Sequence, residues 1–204
     1  MKTQATKSLV NIEIPAPEFG LIQVTAKGIT PLLSHNFSKE SLQKIKDTEG
    51  KKAKHAKGAR DTDKEYIDSL YPLPGGKYGI PSTAFKKAAV SACCMVDGMT
   101  MTLTSKAFFI MEEYLEIKSK KGPKKREDRV SVGGFGKGSA TMRYRGEFPD
   151  WEATMTIRYN AAIITKEQII NLLQLAGSHI GVGDWRLESG KGTGGFGAFT
   201  VTIK

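Results

Sequence analysis

Residues 151–176, WEATMTIRYNAAIITKEQIINLLQLA, place a strand directly before a helix. Trp151, Ala153, Met155, Ile157 and Tyr159 alternate with Glu152, Thr154, Thr156 and Arg158, the period-two pattern of a strand with one buried face. Thr165 followed by Gln168 is a capping box, in which each side chain satisfies an amide at the helix start. Ile169, Leu172, Leu173 and Ala176 then form an apolar stripe at helical spacing. Gly177 stands where a helix stop is expected.

The same rules extend outward in both directions. Residues 20–28 (GLIQVTAKG) alternate as a strand, and a short strand is expected around Val10–Ile14, ended by Pro15 and Pro17. Short helices are expected from Ser38, carrying Leu42 and Ile45, and near 62–71, carrying Tyr66, Ile67 and Leu70, with capping acids at Asp61 and Asp63. Pro81 and Ser82 signal a helix start with Ser82 as cap, and Phe85, Ala88, Ala89, Ala92 and Cys93 give that helix a narrow apolar face. Gly98 ends it, and residues 101–117, rich in β-branched and aromatic side chains, read as one long strand. TMRYR at 141–145 reads as a short strand, and Ala198–Ile203 as the last.

Without its excursions, the order is strand 20–28, helix 82–95, strand 101–117, strand 151–160, helix 165–176 and strand 196–203. This β-α-β-β-α-β series predicts an α+β, ferredoxin-like (RRM-like) core, with two helices on one face of a four-stranded antiparallel sheet. One domain over residues 1–204 is expected, with long insertions at 30–80 and 118–150. The fold hosts many activities, so function must be sought in particular residues.

Charge is the first such feature. KKAKHAKGAR at 51–60 carries five basic residues and no acid, and KSKKGPKKREDR at 118–129 carries seven against two acids. Together they supply the whole net charge of +10, and the remainder balances at 19 basic and 19 acidic residues. A neutral body with two cationic loops fits a polyanionic partner, nucleic acid foremost. No apolar run is long enough for a membrane helix, so no membrane partner is expected. The first residues hold no continuous apolar run, so a signal peptide is not expected. The only cysteines, Cys93 and Cys94, are adjacent and read as packing residues of a cytoplasmic protein.

Several chemistries are excluded by pattern. Gly192 to Gly197 spells G-x-G-x-x-G, but it precedes the terminal strand instead of opening a helix, so it is not a dinucleotide site. No Walker-type phosphate loop is present, and no His, Cys or carboxylate grouping has metal-ligand spacing, so no cofactor is expected.

Residues 180–199, IGVGDWRLESGKGTGGFGAF, are more distinctive. The glycines, Gly192 and Gly194 among them, would let backbone amides approach phosphates. Arg186 and Lys191 add charge, while Trp185 and Phe196 offer flat surfaces; the alternative is a tight hairpin with Trp185 in the core. This tail resembles the glycine-rich C-terminal loop of the RAMP (repeat-associated mysterious protein) superfamily. YGIPSTAFKKAA at 78–89 resembles that superfamily's IPGSSLKGALR segment, with Lys86 expected to contact nucleic acid, and ITPLL at 29–33 resembles the loop after its first strand. These stretches cover roughly a fifth of the chain. Ser82-Thr83 lacks the usual glycine, and Lys87-Ala88-Ala89 replaces the Lys-Gly pattern.

The resemblance implies a CRISPR backbone-type subunit, or a phage-borne or stand-alone relative, that binds RNA or single-stranded DNA without sequence preference. Copies would stack along the strand as a homo-oligomer, beside other CRISPR-type or phage subunits. Residues 118–145 become the thumb-like hairpin, with Lys120, Lys121, Lys124, Lys125 and Arg126 on phosphates, and Arg143, Tyr144 and Arg145 interleaving charge with a stacking ring. Lys51, Lys52 and Lys54 act as an electrostatic assistant, the hairpin being the site of specific contact. His35, after the first strand, has two readings: a loop histidine touching nucleic acid, or the general acid or base of a metal-independent endoribonuclease. His179 is either a phosphate ligand or packed. A third reading makes the lysines an interaction surface for an acidic protein.

Overall fold

The computed structural model describes residues 16–36, 60–132, 139–188 and 194–203. Strand β1 (Phe19–Gly28) buries Ile22, Val24 and Ala26 and turns the alternate residues outward. After β2 (Leu32–Ser34) come α1 (Thr62–Asp68), β3 (Tyr71–Leu73), β4 (Lys77–Pro81) and α2 (Ser82–Ala92). Helix α3 (Met101–Ala107), β5 (Phe108–Ile110), β6 (Tyr114–Lys118), β7 (Lys124–Val132) and β8 (Ser139–Phe148) follow. The chain finishes with β9 (Glu152–Asn160), α4 (Lys166–Leu175) and β10 (Phe199–Ile203).

The result is a mixed α+β fold with two antiparallel sheets. The principal sheet runs β10-β1-β9-β6-β4-β3, with β5 also paired to β9, and the smaller sheet runs β2-β8-β7. Helices α2 and α4 pack on the principal sheet's buried face, where Phe85, Ala89, Ile169, Leu172 and Leu173 meet Val24, Met155 and Ile157. Phe199 sits at the centre of this layer, edge-on to Phe85 at 5.3 Å and to Trp151 at 6.2 Å. The narrow alanine face of α2 allows that close approach. Among the described residues, no helix is long and apolar enough to cross a membrane.

Some sequence expectations need correction. Residues 101–117 do not form one strand: Thr100 caps α3 by accepting from the Leu103 amide at 3.3 Å, and β5 and β6 follow on either side of a break at 111–113. Glu112 fills the gap in the ladder, its carboxylate accepting from the Thr156 amide at 3.0 Å. Ser82 does not cap α2. It is buried, and its amide donates to the Glu113 carbonyl at 2.9 Å. Gly177 does not stop the last helix, which continues as a π-turn to Ile180 and ends at Gly181 with φ 72°. Gly177 instead lies against the Phe199 backbone, where a side chain would collide. Cys93 is buried but Cys94 is exposed. Thr165 and Gln168 form the expected capping box, and Asp61 accepts from the amides of Asp63 and Lys64.

The 30–80 excursion is partly built into the sheets: β3 and β4 extend the principal one, while β2 pairs with β8. The expected strand at Val10–Ile14, the helix from Ser38 and the first basic run short of Arg60 lie outside the described residues.

Candidate nucleic-acid interface

Strands β7 and β8 form a hairpin whose register runs from Lys124↔Glu147 to Val132↔Ser139. Cross-strand partners share a face, so the charged residues sort into two sets. One face holds Lys125, Glu127 and Arg129 opposite Gly146, Tyr144 and Met142; the other holds Lys124, Arg126 and Asp128 opposite Glu147, Arg145 and Arg143.

Helix α1 covers the first face. Lys125 Nζ donates to Asp63 Oδ1 at 2.7 Å and Thr62 Oγ1 at 2.8 Å, and the Asp63 bond raises the Lys125 pKa. The Tyr144 ring carries Lys125 at 4.9 Å and Arg60 at 5.4 Å. The C-terminal loop covers the root of the second face: Arg145 stacks on Trp185 at 4.4 Å and Arg126 on Phe196 at 4.7 Å. Arg126 also donates to Glu147 at 2.7 Å and Asp128 at 2.9 Å. Its pKa is raised, chiefly by the Glu147 bond.

Arg145 is fully buried, which corrects its expected role as a surface ligand. Its Nη1 lies 3.2 Å from Asp184 Oδ2 and 3.8 Å from Asp128 Oδ2, and no nitrogen of the side chain makes a well-formed hydrogen bond among the described residues. Burial pushes the guanidinium pKa down against the opposing pull of both carboxylates. Asp184 Oδ2 also lies 3.1 Å from His35 Nδ1. Burial pushes the Asp184 carboxyl up, but the His35 bond and the Arg145 charge outweigh it and hold it below the ordinary range. Next to it, Trp185 has φ 49°, the one positive φ among described non-glycine residues, a strained backbone that places the indole over Arg145.

His35 and Asp184 border a cavity of about 400 Å³. Its walls come from β2 and His35, from Thr83, Ala84 and Lys87 on the first turns of α2, and from Val182 to Asp184, Arg186 and Glu188. Lys87 faces it, whereas the expected Lys86 turns toward the Phe108 ring at 6.0 Å. Arg186 is exposed and lies 3.4 Å from Glu188.

The glycine-rich loop is stitched to the segment after β1. The Gly197 amide donates to Pro31 O at 2.8 Å, and the Asp184 amide to Leu33 O at 2.9 Å. A Cβ on Gly194 would strike the Arg186 carbonyl, and one on Gly197 (φ 68°) the Val182 carbonyl. Close backbone packing is therefore what these two glycines provide. Trp185 is half-buried, neither core nor open platform. His179 is exposed, its Nδ1 3.2 Å from the Leu175 carbonyl.

Three open cations gather at the hairpin root. Lys120, Lys121 and Lys124 are exposed, and among the described residues no acid pairs with their ammonium groups. Asp150 shapes this turn, accepting from the amides of Lys120 at 2.9 Å and Lys121 at 3.3 Å and from the Ser119 hydroxyl at 3.0 Å. The Lys120 bond is the main cause of its lowered pKa. Arg143 is half-buried on the second face of the hairpin, without an acid partner among the described residues. Lys51, Lys52, Lys54, Lys191 and Gly192 lie outside the described residues. Sequence reasoning missed Asp128, Asp184 and Lys87. The available signals were Asp184 within the resembling tail and Lys87 within the resembling 78–89 segment.

Fold and site together define an α+β protein with a cationic hairpin clamped to a glycine-rich loop. No protein-family model matches the sequence, and no curated protein matches it. The fold is shared with a chain in the cryo-electron microscopy structure of the Type III-B Cmr-beta bound to cognate target RNA. That match has a TM-score of 0.57 at 11% identity and covers 91% of this chain and 60% of that one. This chain thus spans about three fifths of its structural counterpart. Cmr6 from Pyrococcus furiosus aligns with a TM-score of 0.45 at 11% identity, over 91% of this chain and 99% of that one.

Proposed function

We propose that the chain is a RAMP-type subunit that binds RNA or another single-stranded nucleic acid without sequence preference, copies lying side by side along the strand. The frame is read as ferredoxin-like, with β1, α2, β5–β6, β9, α4 and β10 as its β-α-β-β-α-β core. The observation that carries the reading is the uncompensated group of Lys120, Lys121 and Lys124 at the root of an ordered hairpin, where Asp150 fixes the backbone of Lys120 and Lys121 and Lys124 opens β7. The shared fold with a Cmr chain and the three RAMP-like stretches favour assembly with CRISPR-type or phage subunits in the cytoplasm. Binding of labelled oligouridylate and oligodeoxythymidylate, titrated across a salt series, tests it. Saturable binding that weakens steeply with salt is expected. No binding at low salt refutes it.

The His35–Asp184 pair favours a second reading. A carboxylate on Nδ1 orients the imidazole at a cavity that also holds Lys87, the arrangement a general base needs to activate a ribose 2′-hydroxyl. Incubation with RNA in EDTA, wild type against His35→Ala, separates the two. Intact RNA with both proteins sinks the ribonuclease.

A further inference from the structure

The principal sheet has a second face, turned away from α2 and α4, that carries a cluster of exposed rings among the described residues. Leu21, Arg158 and Phe109 are cross-strand partners and form one row over β1, β9 and β5. Phe19 flanks that row, with the Arg158 guanidinium 4.0 Å from its ring centroid and 5.9 Å from that of Phe109. Phe19 is 53% exposed, Leu21 65% and Phe109 41%. The next row holds Gln23 and Thr156, whose carbonyl accepts from the amide of the exposed Met111 at 2.9 Å. Beyond it Thr25 and Thr154 share a hydroxyl bond of 3.0 Å.

The charges on this face are unevenly used. Lys27 sits 3.8 Å from Glu152 at the far end, and Glu112 is occupied by the Thr156 amide. Arg158 has no acid partner among the described residues, although it lies in the middle of the apolar cluster. Protein–protein interface cores are also enriched in aromatic residues and arginine, so the rings alone do not choose the partner; the net charge of +10 and the acid-free Arg158 favour an anionic one. Here the centre is a cation between two aromatic rings, bordered by hydroxyl and amide groups. That chemistry suits a partner presenting flat rings and negative charge together, which is a single-stranded nucleic acid.

We infer that this open face is a second nucleic-acid contact, a platform on which unpaired bases stack against Phe19 and Phe109 while Arg158 meets the backbone or a base plane. The inference rests on the proposed single-strand binding and separates it into two surfaces: lysines of the hairpin root for phosphates, rings of the sheet for bases.

The test uses bromouridine-substituted oligouridylate, photo-crosslinked and mapped by mass spectrometry, with affinities measured by fluorescence anisotropy. Crosslinks are expected within β1 or β5. Phe19→Ala and Phe109→Ala should each weaken binding about tenfold, the usual effect of removing a stacking ring. Phe109→Leu should lose as much, since it keeps apolar bulk without the plane. None of these variants should change the salt slope, because rings neutralise no phosphate. Unchanged affinities, or crosslinks confined to the hairpin, overturn the platform and leave the hairpin reading intact. If light scattering shows that Phe109→Ala dissociates a self-associated wild type without affecting oligouridylate affinity, the face joins copies of the chain and the platform is wrong. Failure of the wild type to bind at low salt overturns both.

Discussion

Asp184→Asn removes the nearest counter-charge of a fully buried guanidinium while keeping the side chain's shape. Asp184 is 28% exposed, and Asp128 remains 3.8 Å from Arg145. Losing one partner of a buried pair usually costs about 3–5 kcal/mol, so partial exposure and the remaining carboxylate bring the expectation to about 2–3 kcal/mol. For a chain of this size that is roughly 5–10 °C in Tm. Chemical denaturation followed by tryptophan fluorescence measures it. Arg145→Met in the Asp184→Asn background should recover most of the loss, since the apolar side chain removes the stranded charge and Arg126 still pairs with Asp128. The pH dependence has a fixed sign. The folded pKa of Asp184 lies below its unfolded value of about 3.9, so its contribution is present above that value and lost as pH falls through the folded pKa. The variant should lack this part of the acid sensitivity. A variant within about 0.5 kcal/mol of wild type, or a double variant no more stable than the single one, refutes the buried-pair reasoning.

Two further outcomes follow from the packing. Gly177→Ala drives a methyl group into the Phe199 backbone, which cannot move without breaking the central aromatic layer, and should lower stability by about 3 kcal/mol in denaturant unfolding. Thr165→Ala removes the capping box of α4 and should cost about 1 kcal/mol by the same measurement, with no change in nucleic-acid affinity.

Elements with a strong period were readable from the sequence alone. The strand expected at 151–160 occupies 152–160, and the helix expected at 165–176 occupies 166–175, because one buried face imposes its spacing on the residues. The stretch at 101–107 misled because its β-branched threonines favour strands, whereas Thr100 caps a short helix there. The hairpin was readable as a cationic excursion but not in its detail. Five surplus charges in the 118–129 run imply open cations, yet Lys125 of that run is paired by Asp63 on a separate helix, as Arg145 of the facing strand is by Asp184 on the terminal loop. Such partners are far apart in the chain and leave no local trace. The glycine loop shows the same limit: the composition is visible, but whether the space serves a phosphate or another backbone depends on the fold. At Gly194 and Gly197 the backbone takes it.

The most direct test of single-strand binding by the hairpin root is the salt dependence of oligouridylate affinity, wild type against a combined Lys120→Ala, Lys121→Ala and Lys124→Ala variant. Each phosphate contact on a single strand contributes about 0.7 to the slope of log K against log salt. Three lost contacts should make the slope shallower by about 2 and weaken binding most at low salt. Parallel lines for the two proteins would contradict it.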